Sequence, residues 1–382
     1  MKNAIKKRDK NLPKVFVMLS GGVDSSVAAL LLKKSGKYDI RGAHLICWRD
    51  NCNQYQREAV YAMLAAKKIG IPFYLFDLEK EYKEKVFNYM ISGYASGKTP
   101  NPDVMCNREI KFGVFLEKAL KLGTDYVATG HYVKKLKIKN QSTKQIVLCS
   151  AEPINMGSGQ KSKIIYKLLK AKDASKDQSY FLWTLTQNQL KHSLFPIGDF
   201  TKEKVRKIAA SHNLPTAEKK DSQGLCFVGK TDFQEFLEKY IKTNPGKVLN
   251  EKMEKIGIHN GVQFYTIGQR HGFKIANNKP QYVAERNLET NTLVLAENRT
   301  NPLLYKNEIE VENINWISGN LPKLPLKCEA RIRYRGELKS CVVGNIGDGI
   351  SVKFDSPQWA VAEGQSIVFY KNGEMLGGGV IK

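Results

Sequence analysis

The segment Ser20-Gly21-Gly22-Val23-Asp24-Ser25-Ser26 constrains the fold more than any other, because of where it falls. An apolar run at Val15–Leu19 ends directly before it, and a helical pattern at Val23–Lys34 opens inside it. Strand, glycine-paired turn and helix in that order place a loop at the end of a parallel sheet, where ligands bind. Paired glycines let backbone amides approach an anion, Ser20 and Ser25 add hydroxyls, and the helix start contributes a favourable dipole. The residues suit a phosphate cradle; a tight turn with a helix cap is the plainer alternative. The Walker pattern GxxxxGK[ST] and the dinucleotide pattern GxGxxG are both absent.

The same alternation continues to about His131. Strands are predicted at Val15–Leu19, Ile40–Cys47, Phe73–Phe76 and Tyr126–Thr129, with helices near Val23–Lys34, Gln54–Ile69, Glu81–Tyr94 and Glu109–Leu122. Gly70 and Gly123 fall where a helix would end. This is the pattern of an α/β doubly wound parallel sheet. A hairpin follows (Val133–Ile138 with Gln145–Cys149), then a polar stretch at 155–163, then helical signals at Gln178–Leu190 and Lys202–His212. Beyond Phe227 short β-like runs dominate: Gly261–Tyr265, Tyr282–Ala284, Thr292–Leu295, Cys328–Tyr334, Cys341–Val343, Ile350–Phe354 and Ser366–Tyr370. They indicate small β domains or a barrel. The expected division is 1–220, a small central domain at 221–305, and a C-terminal β-barrel-like domain at 306–382.

A chain of 382 residues with 42% hydrophobic content supports several cores. No apolar run approaches the roughly 20 residues of a membrane span, and the basic N-terminal stretch lacks an apolar core or cleavage signal, so a cytoplasmic location without membrane partners is expected. Lys and Arg number 61 against 37 Asp and Glu, a formal charge of +24. That excess fits a polyanion partner, and equally a compositional bias towards Lys. The seven cysteines form no CxxC pair and no zinc spacing, which leaves reduced thiols.

Two cysteine segments stand out. In Thr99-Pro100-Asn101-Pro102-Asp103-Val104-Met105-Cys106-Asn107-Arg108-Glu109-Ile110-Lys111-Phe112, the prolines are expected to fix an extended loop, with Asn107 capping a helix from Arg108. Cys106 would then precede a helix N-terminus beside Arg108 and Lys111, a setting that stabilises a thiolate; a buried inert cysteine is the alternative. In Asp221-Ser222-Gln223-Gly224-Leu225-Cys226-Phe227, Cys226 alone reads as a core residue. In Arg331-Ile332-Arg333-Tyr334-Arg335, a strand would present three Arg on one face, fitting either phosphate contacts or a solvated edge.

The Ser20–Ser25 motif resembles the PP-loop of the ATP pyrophosphatases. Together with the two cysteine segments, Ala128-Thr129-Gly130-His131-Tyr132, Lys176-Asp177-Gln178-Ser179-Tyr180-Phe181-Leu182 and Tyr265-Thr266-Ile267-Gly268-Gln269-Arg270, it resembles the tRNA-specific 2-thiouridylase family from about Lys14 to Lys382. The resemblance implies a PP-loop, adenine nucleotide alpha hydrolase-like fold and ATP-dependent thiolation of a tRNA wobble uridine. It carries ATP contacts onto Met18, Leu19, Ser20, Gly21, Gly22, Val23, Asp24, Ser25, Leu45 and Gly130, with Mg2+ near Asp24. It carries tRNA contacts onto Asn101, Pro102, Asp103, His131, Lys176, Asp177, Gln178, Arg333, Tyr334 and Gln365, Asp103 doubling as general base. Cys226 matches the persulfide carrier, loaded by a sulfur-donor protein, and Cys106 its partner, which closes a Cys106–Cys226 disulfide or releases hydrosulfide. The implied partner is tRNA, not DNA. Two departures from the family pattern are Leu45, where Met is usual, and Gly224-Leu225, where Glu-Ile is usual.

Rival readings remain on the residues alone. An amidating PP-loop ligase leaves both cysteines without a use. An iron–sulfur thiolase needs three clustered cysteines. An RNA-binding module with a degenerate nucleotide fold would bind tRNA without releasing pyrophosphate.

Overall fold

The computed structural model describes residues 12–49, 54–139, 146–148, 164–221, 233–275, 280–347 and 349–382; Cys226, Cys52, Cys149 and the polar stretch at 155–163 lie outside the described residues. Strands Lys14–Met18 (β1), Asp39–Ile46 (β2), Phe73–Asp77 (β3) and Tyr126–Ala128 (β4) form a parallel sheet in the order β3-β2-β1-β4. Central β1 alternates between two buried faces, which is why it reads as a continuous apolar run. Val15 and Val17 pack with Ala29 and Leu32 of α1 (Val23–Ser35) and Ala62 and Ala66 of α2 (Gln54–Ile69). Phe16 and Met18 face the other way, onto Tyr82, Val86, Phe115 and Leu116. Those four belong to two helical runs, α3 at 79–95 and α4 at 102–121, each widened into π-helical turns at Lys83–Phe87 and Cys106–Val114. Gly70 and Gly123 have φ of +73° and +75°, the left-handed backbone that ends a helix.

The start of α4 differs from expectation. Asn101 is the N-cap, its side chain accepting from the Val104 amide at 3.2 Å, and Pro102 occupies the first helical position, where a missing N–H costs nothing. Pro102 therefore begins the helix, while Pro100 stays in the loop, which ends at Asn101 and not at Asn107.

Val133–Lys139 (β5) and Ile146–Leu148 (β6) make the expected hairpin, and Ile164–Lys170 (β7), unforeseen, pairs with β5 along its whole length. Ser193–Leu194 (β8) extends the parallel sheet beyond β4. The helical stretch expected at Gln178–Leu190 is a 3-10 turn over Ser179–Leu182 followed by a short helix α5 (Gln187–Lys191), and α6 (Lys202–Ser211) matches the signal at Lys202–His212.

In the middle of the chain, α7 (Phe233–Glu238) precedes a five-stranded sheet. Its members are Gly246–Leu249 (β9), Lys255–His259 (β10), Lys274–Ile275 (β11), Gln281–Asn287 (β12) and Thr292–Glu297 (β13). The strand expected at Gly261–Tyr265 is a 3-10 turn over Val262–Phe264. Six further strands follow: Tyr305–Trp316 (β14), Leu326–Arg331 (β15), Lys339–Ile346 (β16), Gly349–Trp359 (β17), Ser366–Lys371 (β18) and Glu374–Ile381 (β19). They run β14-β17-β16-β15-β18-β19, and a β14–β19 pairing closes them into an antiparallel barrel. Strand β19 also pairs with β7, so the β5–β7 pair at residues 133–170 is hydrogen-bonded to the barrel. Strand β15 ends at Arg331, and Arg335 has a φ of +61°, so the expected strand with three Arg on one face does not form.

Candidate nucleotide and base site

The order β3-β2-β1-β4 puts the loops after β1 and β4 at the switch point of the sheet. Gly22 is the extended N-cap of α1 and offers no side-chain cap, so the first amides of α1 face outward as anion donors. The loop is braced from within: Ser25 and Ser26 hydroxyls donate to the Gly22 carbonyl at 3.1 and 2.9 Å, and the Ser20 amide donates to Ser25 Oγ at 3.1 Å. Gly130, after β4, lies so close that a Cβ there would stand 2.6 Å from the Ser25 nitrogen. Gly21 has a φ of +79° and would drive a Cβ to 2.4 Å from the Glu58 carbonyl oxygen. Such a cradle fits a nucleotide's phosphates.

Around it runs a lattice of charge. Lys202 donates to both oxygens of Asp24 at 2.8 Å and pairs with Asp221 at 2.8 Å, while the Tyr132 hydroxyl donates to Asp24 at 2.7 Å. Asp221 also takes Lys176 and Arg206 at 2.8 Å each. Burial raises the Asp221 carboxyl, but the hydrogen bonds from Lys176 and Lys202 outweigh it and hold the pKa at about 2. Lys219 donates to the Gly21 carbonyl at 3.0 Å and to Glu58 at 2.6 Å. Asp24 and Asp221 thus share one ammonium, and Asp221 is the last described residue before the Cys226 segment. Lys202, Tyr132 and Glu58 escaped the sequence reading, since partners more than a hundred residues apart leave no local signal.

The base loop is built differently. Thr99 and Asn101 are buried. Cys106 is fully buried and sits inside α4, its amide bonded to the carbonyls of Pro102 and Asp103. The expected helix-terminus stabilisation of its thiolate does not apply there, because the dipole's effect fades within the first turn. Its expected charged neighbour Arg108 pairs with Glu109 at 3.1 Å. Asn107 sends its amide to the Phe181 carbonyl at 3.2 Å instead of capping a helix. Met18 and Leu45, both buried, share one apolar cluster with Val104 and Cys106. Leu19, one residue before the phosphate loop, is buried on the opposite face of the sheet.

Residues 13–230 match the family described as the tRNA methyl transferase HUP domain, residues 234–297 its PRC-barrel domain, and residues 306–381 the aminomethyltransferase beta-barrel domain. The tRNA-specific 2-thiouridylase MnmA of Francisella philomiragia is 41% identical over 379 residues, covering 96% of this chain and 99% of that protein. Its namesake in Nitrosococcus oceani is 42% identical over 381 residues, covering 97% of each. The chain belongs to the tRNA-specific 2-thiouridylase family. A slighter likeness is to the U34-tRNA thiolase NcsA from Methanococcus maripaludis with its [4Fe-4S] cluster, at 14% identity, a TM-score of 0.35, and coverage of 60% of this chain and 64% of that one.

In this thiouridylase the residues singled out for tRNA are largely engaged within the protein. Asp177 is 2% exposed and accepts from the Ala171 amide at 3.1 Å and Ser179 Oγ at 2.9 Å, with Arg331 at 3.5 Å. Gln178 exchanges two hydrogen bonds with the Tyr132 backbone, at 2.9 and 3.1 Å. Arg333 donates to the carbonyls of Trp359 and Ala360 at 2.7 and 2.9 Å, and the Tyr334 ring packs 4.5 Å from that of Phe181. Gln365 donates to the carbonyls of Thr99 at 2.9 Å and Pro100 at 3.4 Å. His131 is buried beside Thr129, whose Oγ1 is 2.7 Å from Nδ1; burial first, and Lys111 second, push its pKa well below the ordinary value. Its ring is therefore neutral at physiological pH. Pro102 and Asp103 are partly exposed at the start of α4, and Arg335 is exposed. Among the described residues no group of three His, Cys, Asp or Glu could hold a metal, and no helix is long and apolar enough to cross a membrane.

Proposed function

We propose that this thiouridylase activates a tRNA uridine with ATP and then replaces its O2 with sulfur. What supports the reading is the phosphate cradle, Gly130 set against the Ser20–Ser25 turn, in a chain 41% identical over nearly its whole length to a tRNA-specific 2-thiouridylase. A urea-like carbonyl is a poor electrophile, so the uracil O2 first attacks the α-phosphate of ATP, releasing pyrophosphate and converting O2 into a leaving group. Ser20 to Ser25, with Gly130 against them, hold the phosphates, and Leu45 with Met18 gives an apolar contact for adenine. A magnesium ion would neutralise phosphate charge beside Asp24, the carboxylate to which Lys202 donates.

Asn101, Pro102 and Asp103 read the extruded base, and Asp103 takes the N3 proton. Cys226, loaded as a persulfide by a donor protein, delivers its outer sulfur to C2, and AMP leaves. Cys106 breaks the bond between Cys226 and its outer sulfur by closing a Cys106–Cys226 disulfide, either after that sulfur has bonded to C2 or before, in which case the hydrosulfide set free attacks C2 and expels AMP. The buried setting of the base loop excludes water that would hydrolyse the activated base. Catalysis and ATP binding fall in 1–220, the Cys226 segment opens 221–305, and 306–382 faces tRNA, all in the cytoplasm.

The deciding experiment separates the two half-reactions. Cys226→Ser and Cys106→Ser should each retain tRNA-dependent pyrophosphate release while 2-thiouridine formation from a persulfide donor drops by about a thousandfold or more. Thiolation surviving in Cys226→Ser would sink the reading.

A further inference from the structure

Three parts of the fold converge on Thr99 and Pro100, at the entry to the base loop. From the barrel, the Glu363 carbonyl accepts from the Thr99 amide at 2.7 Å, and the Gln365 side-chain amide donates to the carbonyls of Thr99 and Pro100. Between them, Gly364 has a φ of +86° and runs so close that a Cβ would stand 3.0 Å from the Thr99 nitrogen. From the central sheet region, Thr266 Oγ1 lies 3.3 Å from Thr99 Oγ1. From α3, Gly93 approaches Pro100 so closely that a Cβ would be 2.8 Å from its Cγ. One residue further on, Asn101 caps α4, the helix that carries Asp103 and Cys106.

We propose that Gln365 is a positioning residue for thiolation: the Glu363–Gln365 turn latches the barrel to the base loop, and so fixes where α4 begins. This rests on the thiolation reading above, and it assigns Gln365 a role through Thr99 and Pro100 in place of a direct contact with RNA. Its donor hydrogens already face two carbonyls in a half-buried setting, where an orphaned carbonyl is costly. A shift of Thr99 moves Asn101, and the cap carries that shift into Asp103 and Cys106 together. The barrel thereby sets the geometry of a reaction that takes place outside it.

Two substitutions test this. Gln365→Met keeps length and removes the donor; Gly364→Ala adds a methyl against Thr99 and removes nothing that could touch RNA. Each should slow single-turnover 2-thiouridine formation at saturating tRNA by between about ten- and a hundredfold, the scale of lost positioning. tRNA Kd should stay within twofold, the thermal transition should persist, and amide hydrogen exchange should rise across residues 99–105. A tenfold weaker Kd with an unchanged saturated rate in Gln365→Met would make it an RNA contact and overturn the latch. Unchanged exchange at Thr99 in both variants would overturn it too. Wild-type protein that forms no 2-thiouridine would defeat the thiolation reading instead, while exchange at Thr99 still judges the latch.

Discussion

The phosphate loop and the base loop are held by opposite means. Lys202, Lys219, Asp24, Asp221 and Glu58 surround the first with alternating charge at 2.6 to 2.8 Å. The second is held by neutral hydrogen bonds that Gln365 donates and that the Glu363 carbonyl and Asn101 side chain accept, and by the core around Val104 and Cys106. The difference follows from what each must accept. An arriving polyphosphate competes with carboxylates for the same ammonium groups, so an ionic frame can exchange partners with little net cost. A base that must present one edge to one sulfur needs a fixed, dry frame, which charge would hydrate.

The largest expected effect strikes the ionic side. Lys202→Met leaves Asp24 and Asp221 without their shared cation and should lower tRNA-dependent pyrophosphate release about a hundredfold, near 2.7 kcal/mol of barrier. A change below threefold would show that the lattice does not serve adenylation.

A smaller effect distinguishes the neutral side. Burial depresses the His131 pKa. Below the ordinary histidine pKa of about 6.5 the unfolded chain takes up a proton that the folded chain refuses, so stability is intact above that pH and lost as pH falls. Denaturant midpoints of His131→Gln measured from pH 7.5 to 5.5 should fall less than those of wild type, and parallel curves would contradict a buried neutral ring.

The smallest effect concerns the exposed rim. Arg335→Gln should reduce the slope of log tRNA affinity against log salt by about one. Arg331→Gln should leave the slope alone, because Arg331 is buried against Asp177 and Tyr370. Equal slopes for the two variants would erase the distinction between rim and interior arginines.

The parallel sheet was legible because each of its main strands is an apolar run and two of its helices end in glycine, both local signals. The phosphate loop was legible for the same reason. Asn101-Pro102 is a readable cap and first turn, but proline's fixed φ suits an extended stretch equally well, so the two prolines alone do not choose between them. Strands β7, β14 and β19 went unread. β14 carries polar residues through its length, β19 is broken by Gly377, Gly378 and Gly379, and β7 has its apolar run interrupted by Lys167. The Lys202 lattice and the Gln365 latch leave no local signal, because they exist only between distant segments.

The pairing of β7 with β19 has a consequence in time. Lys167 and Glu374, joined at 2.7 Å across these strands, are 207 residues apart. At the usual 5 to 20 residues per second, a ribosome exposes the β5–β7 hairpin about 10 to 40 seconds before β19 exists to cover its edge. During that interval an open strand is presented to every neighbouring nascent chain, a hazard that chaperones meet. The burden of producing this enzyme intact therefore rests on the order in which its parts are born.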